Sequence, residues 1–118
     1  MKNKKITFPE KIIQKQILNF LSAYGIFVFR VNTTGVFDPS RKVFRRLGGY
    51  NLKGVADILG ILPNGKFLAV EVKTEKGKQS VFQKNFQEQI EKNNGIYILA
   101  RSIDDVRHLV NQEYHNAA

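Results

Sequence analysis

Residues 55–73 constrain the fold of this chain most strongly, because they predict two paired strands. Two largely apolar runs, 55–62 and 66–74, flank the turn sequence Pro63-Asn64-Gly65, a combination typical of a β-hairpin. Both faces of the second run are mainly apolar. A strand of that kind is expected at the centre of a sheet, with other elements packed on both sides.

Besides Lys66 next to the turn, three charged residues interrupt this apolar hairpin. Asp57 lies near the start of the first strand, and Glu71 and Lys73 lie at the end of the second. Side chains two positions apart on a strand point to the same face, about 6–7 Å apart. Charged groups at such positions are costly unless something binds them. An exposed Glu-x-Lys ion pair and a turn-capping Asp57 remain alternatives.

The length of the turn decides whether the two carboxylates meet, because directly opposed residues of an antiparallel pair share a face. A three-residue turn places Asp57 opposite Glu71, whereas a two-residue turn places Asp57 opposite Val72, on the other face. If the carboxylates act together, we therefore predict a three-residue turn with Gly65 in the left-handed conformation, or a compensating bulge near Gly60.

Hydrophobic periodicity predicts the other elements. They are a first helix over 9–24 that ends at Gly25, a strand over 26–31, a helix over 79–94 with Phe82, Phe86 and Ile90 on one stripe, a strand over 96–100, and a last helix from a capping box at Ser102 to about 113. Residues 32–53 break the pattern and predict a long, cationic, glycine-hinged loop. This order indicates an α/β layered sheet with a meander followed by a crossover helix.

Composition narrows the class of protein. The 118 residues are 42% hydrophobic and 25% charged, which is typical of one ordinary globular domain. No apolar run approaches the roughly 20 residues of a membrane span, so no membrane partner is expected. Because cysteine is absent, disulfides and thiolate zinc sites are excluded, and a cytoplasmic location fits.

The net charge of +9 favours a polyanionic partner such as nucleic acid. Basic residues of the long loop predict contacts with a phosphate backbone: Arg41, Lys42, Arg45, Arg46 and Lys53. Lys76, Lys78 and Ser80 precede the second long helix, where a phosphate can bind at the helix N-terminus. A solvated turn explains those three residues equally well.

Asp57 and Glu71 together suit a hard divalent cation. Magnesium takes few protein oxygen ligands and keeps several waters, so two carboxylates on neighbouring strands fit it. The carbonyl oxygen of Val72 is a candidate third ligand. Lys73, on the same face, is placed to orient or deprotonate a water, or to neutralise charge in the transition state of phosphodiester hydrolysis.

Four sequence features together resemble the PD-(D/E)XK nuclease superfamily, and within it the VRR-NUC domain of stand-alone phage and bacterial type. They are Glu10, Gly54-Val-Ala-Asp57, Glu71-Val-Lys73 and Gln83, within a likeness that spans about residues 8–106. Ala56 stands where the superfamily name has proline. The resemblance implies a restriction-endonuclease-like α-β-β-β-α-β core with a mixed four-stranded sheet flanked by helices, and one nuclease domain over 1–118 with its core at about 8–113.

The same resemblance implies residue roles. Asp57 and Glu71 become metal ligands, Lys73 the catalytic lysine, Gln83 an active-site helix residue and Glu10 an acid that reaches the metal through water. Taken singly, Glu10 is equally explained as an acid that favours the helix dipole, and Gln83 as a solvated helix residue.

The implied activity is Mg²⁺-dependent hydrolysis of DNA phosphodiesters, with Mn²⁺ as a substitute. Small stand-alone members resemble Holliday-junction resolvases, so a homodimer that cuts branched DNA is the most specific expectation. Alternatives are a restriction- or repair-type nuclease on linear or flapped DNA, and a non-cleaving nucleic-acid-binding module of the same fold.

Overall fold

A computed structural model describes residues 7–31, 36–38, 43–45 and 52–115 of the chain. Within them the elements are, in chain order, α1 (Glu10–Ala23), β1 (Phe27–Arg30), β2 (Val36–Asp38), β3 (Val43–Arg45), β4 (Ile58–Ile61), β5 (Phe67–Val72), α2 (Val81–Lys92), β6 (Ile96–Ala100), a 3-10 helix (Ile103–Val110) and α3 (Gln112–His115). No helix of the described residues is long and apolar enough to cross a membrane.

Four strands form the main sheet in the order β1-β4-β5-β6. The β1–β4 and β4–β5 pairs are antiparallel, whereas β6 runs parallel to β5. Helix α2 makes the crossover that a parallel pair requires. The predicted mixed four-stranded sheet flanked by helices is thereby confirmed, together with its α-β-β-β-α-β order.

The β4–β5 hairpin has the register that brings the two carboxylates together. Ile61 pairs with Phe67, and the N–H of Leu62 donates to the carbonyl of Lys66 at 2.9 Å. Three residues, 63–65, therefore form the turn, and Gly65 is left-handed with φ 90°. The three-residue alternative predicted from the sequence is confirmed, and no bulge is needed.

The two faces of β5 pack against different helices. Leu68, Val70 and Val72 belong to the larger core, with apolar residues of α1 and the 3-10 helix. Ala69 belongs to a smaller core on the other face, where Tyr97 of β6 and Phe86 of α2 cover it. Glu71 follows Ala69 on that second face by strand alternation. The carboxylate is thus held on the α2 side, at the end of a strand that is covered on both sides, as predicted.

Three details differ from the sequence prediction. Within the expected loop 32–53, residues 36–38 and 43–45 form a two-stranded antiparallel sheet. The last helix begins after Ser102 as predicted, but it is a 3-10 helix followed by the short α3. Phe82, expected on a packed stripe, is 50% exposed, because the smaller core includes Phe86 and Ile90 but not Phe82.

Candidate active site

Asp57 is held rigidly at the entrance to β4 by main-chain contacts. Its Oδ2 accepts a hydrogen bond of 2.8 Å from the N–H of Val72, and its carbonyl accepts one of 2.8 Å from the N–H of Val31. The register of the hairpin extends to place Asp57 opposite Glu71. Both carboxylates therefore lie at the same end of the central strands, with Asp57 tied to β5 through its side chain.

Glu71 is a buried carboxylic acid, only 2% exposed. Burial raises the pKa of Glu71 to about 8, reinforced by the negative charges of Asp57 and Glu10 and opposed by the positive charge of Lys73. Its Oε2 atom is buried without a hydrogen-bond partner among the described residues. A buried polar atom left without a partner is costly, and it marks the position where a ligand would be stabilised.

Gln83 of α2 contacts Glu71 directly. Its Nε2 donates to Oε1 of Glu71 at 3.0 Å, while its Oε1 accepts from the N–H of Ser80 at 2.8 Å. In return, Oγ of Ser80 accepts from the N–H of Gln83 at 3.1 Å, which completes a capping box. Because a main-chain N–H can only donate, the amide oxygen must face Ser80 and the amide nitrogen must face Glu71.

Lys73 is the cation next to this carboxylate. Its Nζ lies 3.9 Å from Oε1 of Glu71, and its side chain is 17% exposed. The aliphatic part of Lys73 packs on Gly77, where an added Cβ would lie 3.2 Å from the Cβ of Lys73. The turn after β5 thus supports the lysine stem, and its ammonium group lies beside the carboxylate pair.

Arg101 holds that turn in place. Its Nη1 donates to the carbonyls of Thr74, Glu75 and Gly77, the last two at 3.0 Å. No sequence pattern indicated this residue, since its partners are main-chain atoms 24–27 positions away. Arg101 therefore supports Lys73 through Gly77, without itself touching the carboxylates.

Gly54 brings the chain before Asp57 against the first turn of α2. Its φ is 79°, and an added Cβ would lie 2.2 Å from the carbonyl carbon of Phe82 and 2.6 Å from the nitrogen of Gln83. Both the backbone conformation and the close approach require glycine. The chain turns tightly at Gly54, and this turn sets how closely α2 approaches the carboxylates.

Glu10 and Val72 complete the predicted group. Glu10 is the first residue of α1, and its charge contributes to the raised pKa of Glu71, so the two acids lie near each other. The N–H of Val72 points to Asp57. Because the N–H and C=O of one strand residue point to the same side, the carbonyl of Val72 also points toward β4.

The donor set fits a magnesium-type ion. Among the described residues no three His, Cys, Asp or Glu side chains converge as a ready metal cluster. The candidate protein ligands are the carboxylates of Asp57 and Glu71 and the carbonyl of Val72. Magnesium is typically held by one or two carboxylates and several waters. The observation that fits such an ion is Oε2 of Glu71, opposite Asp57, for which residues 7–31 and 52–115 supply no hydrogen-bond partner.

Only some of the residues predicted to contact DNA belong to the described part of the chain. Lys53, Lys76 and Lys78 are exposed, and Ser80 is the exposed N-cap of α2. Arg45 lies on β3, whose side chains are outside the described part of the chain, as are the whole of Arg41, Lys42 and Arg46. His108 is exposed and His115 is partly buried, with its Nε2 unpartnered among the described residues.

Two solved structures resemble this chain. One, named "VRR_NUC domain", has a TM-score of 0.61 and 26% identity over 89% of this chain and 97% of its own. The other, named "VRR_NUC domain protein", has a TM-score of 0.61 and 20% identity over 95% of this chain and 90% of its own, which supports the fold alone. No family model and no curated protein matches the sequence. The chain is therefore similar in fold to structures named as VRR_NUC domains, in agreement with the resemblance seen in its sequence.

Proposed function

We propose that this chain is a Mg²⁺-dependent nuclease that hydrolyses DNA phosphodiesters at the centre built from Asp57, Glu71 and Lys73. The observation that carries the proposal is the buried Oε2 of Glu71, which has no hydrogen-bond partner in the described part of the chain and lies next to a second carboxylate and a lysine. The names of the two similar structures also indicate a nuclease-type domain. Mn²⁺ has similar ligand preferences and is expected to substitute.

In the proposed mechanism each residue of the site has a separate role. Asp57 and Glu71, with the carbonyl of Val72, would hold the ion, which when bound supplies a Lewis acid for the phosphate and an activated water. The Nζ of Lys73 lies 3.9 Å from Oε1 of Glu71, so the ammonium group is beside the carboxylates. From there it would neutralise negative charge that develops on the phosphate. Gln83 orients Glu71 through its hydrogen bond to Oε1. Glu10 lies close enough for its charge to act on Glu71.

A positively charged surface near this centre suits DNA. The chain carries a net charge of +9, and exposed Lys53, Lys76 and Lys78 lie on the segments that enter and leave the hairpin and helix of the site. Phosphate contacts of this kind give affinity without sequence preference. The predicted loop residues Arg41, Lys42, Arg45 and Arg46 would extend the surface.

Branched DNA and a homodimer are the more specific part of the proposal. One domain supplies one centre, so symmetric cutting of a four-way junction requires two copies related by a two-fold axis. A repair-type nuclease acting on linear or flapped DNA is the second candidate, and a non-cleaving binding module is the third. A cytoplasmic location remains a prediction from the sequence.

One experiment separates these candidates. Purified protein is incubated with linear, flapped and four-way DNA in Mg²⁺, in Mn²⁺ or in chelator, beside the variants Asp57→Ala and Lys73→Ala. We expect cutting only with metal, and its loss in both variants while DNA binding persists. Binding without cutting of any of the DNAs in either metal would refute the enzyme, and cutting unaffected by either variant would refute the assigned site.

A further inference from the structure

A cavity of about 350 Å³ lies along the flank of α2, on the α2 face of the main sheet that also holds Glu71. Its apolar walls include the rings of Phe67 and Phe86 and the side chain of Ile90. Phe86 also packs edge-on against Tyr97, with ring centroids 6.4 Å apart, so this wall is fixed by the core. Cavities of this size with mainly apolar walls are typical of sites for small planar groups.

Three side-chain amides also line this cavity. Asn85, Gln89 and Asn93 repeat every fourth residue along α2 and its C-cap, so they form one row with a rise of about 6 Å between neighbours. The amides of Asn85 and Gln89 each offer a donor and an acceptor, whereas Nδ2 of Asn93 already donates to the carbonyl of Gln89 at 2.8 Å. An apolar slot beside a row of amides suits a flat heterocycle with hydrogen-bonding edges.

Lys53 connects this cavity to the catalytic centre. It lines the cavity, and its Nζ lies 5.0 Å from the centroid of the Phe82 ring, a distance suited to a cation–π contact. Phe82 precedes Gln83, the residue that holds Glu71. A nucleotide with its base in the cavity would therefore place its phosphate near Lys53, on the side of the carboxylates.

We propose that this cavity binds the base of an unpaired nucleotide of the substrate. A paired base must first be unstacked and separated from its partner, which costs free energy, so a base without a partner enters a slot on the protein most readily. The inference rests on the proposed nuclease function and specifies it. The substrate class is DNA with at least one unpaired nucleotide close to the phosphodiester that is cut, which favours the flapped DNA of the second candidate over a fully paired four-way junction.

The test measures binding and does not depend on cutting. Affinity is compared in chelator for a duplex with a short single-stranded flap and for the same DNA with abasic positions at the flap nucleotides next to the branch. We expect the abasic substitution to weaken binding by the wild type about tenfold. Equal affinity of the wild type for the two DNAs would overturn the proposal.

Two neighbouring substitutions locate the effect. Gln89→Trp places a bulky ring in the cavity from an exposed position, whereas Glu88→Trp places it at the next exposed residue, which does not line the cavity. We expect Gln89→Trp to abolish the difference between the two DNAs and Glu88→Trp to keep it. Glu88→Trp also removes a negative charge, which changes the affinity for both DNAs equally because they carry the same phosphates. The ratio of the two affinities is therefore unaffected.

A second variant keeps the comparison decisive if Gln89→Trp does not fold, which thermal unfolding will show. Asn85→Leu removes one amide from an exposed position and is expected to reduce the preference for the intact flap. Retention of the full preference by a folded Gln89→Trp, or by Asn85→Leu in its place, would refute the assignment to this cavity. A wild type that discriminates but never cuts would refute the nuclease proposal alone.

Discussion

The side-chain amide of Gln83 donates from Nε2 to Oε1 of Glu71 at 3.0 Å. Because the N–H of Ser80 fixes the amide oxygen, this orientation cannot reverse without breaking the capping box. The contact distinguishes the two oxygens of the carboxylate: Oε1 receives the amide and faces Lys73, whereas Oε2 has no partner among the described residues. One helix cap thus leaves one oxygen of Glu71 available to the proposed metal ion.

Gln83→Glu tests this relationship. A glutamate at position 83 still accepts from the N–H of Ser80, so the helix cap is kept, but its second oxygen repels Oε1 of Glu71. We expect a 10- to 100-fold loss of metal affinity or cutting with little change in thermal stability. Titration with Ca²⁺, used as a non-cleaving ion, measures metal affinity, and a DNA-cutting assay measures activity. Metal affinity equal to that of the wild type would contradict the role of Gln83.

Metal affinity should depend strongly on pH. The pKa of Glu71 is about 8 without metal, so below that pH an ion must displace a proton to bind. We expect Ca²⁺ affinity to fall about tenfold for each pH unit below 8 and to level off above it. Calorimetry in buffers of different ionisation enthalpy counts the released proton. Affinity that stays constant from pH 6 to 8 would contradict a protonated Glu71.

Glu71→Gln should stabilise the metal-free protein at neutral and alkaline pH. The pKa of Glu71 rises from 4.5 to about 8 on folding, so the folded state holds the proton more tightly. Its contribution to stability is complete below about pH 4.5 and is lost as pH rises to about 8. The variant should lack this decline and exceed the wild type by a few kcal/mol at pH 8. Denaturant unfolding in chelator measures this, and a parallel decline in both proteins would contradict it.

Gly54→Ala should disturb the site as well as the fold. An added Cβ would lie 2.2 Å from the carbonyl carbon of Phe82, so α2 must move and carry Gln83 away from Glu71. Gly25→Ala is the matched control, since its φ of 80° is similar but nothing lies within 4 Å. We expect about 1–2 kcal/mol of destabilisation in the control, and more in Gly54→Ala with loss of cutting. Equal effects on stability and cutting would exclude a link between Gly54 and the site.

Arg101→Ala should lower activity without removing any group from the carboxylate centre. Its guanidinium holds the carbonyls of the turn on which Lys73 packs, so the lysine would lose its support. We expect a lower turnover rate with DNA affinity nearly unchanged. Arg107→Ala is the control, because Arg107 forms an exposed pair with Asp104, worth little in stability. Equal activity in the two variants would contradict the positioning role.

The hairpin and its pair of carboxylates were accessible from sequence because they are local. The turn residues limited the register to two choices, and face alternation made only one of them compatible with a shared site. The structure has the register of the three-residue turn, with Gly65 in the left-handed conformation. Residue patterns alone could not predict the contact between Gln83 and Glu71, because it joins a helix to a strand 12 positions away.

Other features were missed although the sequence carried their signal. Ser80-x-x-Gln83 has the pattern of a capping box, but Ser80 was interpreted only as a phosphate-binding residue or as part of a solvated turn. Ile103, Val106 and Leu109 recur every third residue, which is the period of a 3-10 helix. Strands β2 and β3 have three residues each, too few to show an alternating pattern.

The three-residue turn at 63–65 has a consequence for how the chain tolerates changes in length. Asp57 is six residues from the turn, about 20 Å along the strand. The length of the turn nevertheless decides to which face of the sheet the Asp57 side chain points. An insertion that the turn absorbs leaves both carboxylates together, whereas a deletion that tightens the turn by one residue slides β4 and directs Asp57 into the larger core. Natural relatives that differ in length within this hairpin should therefore differ in the turn and keep the strand pairing unchanged.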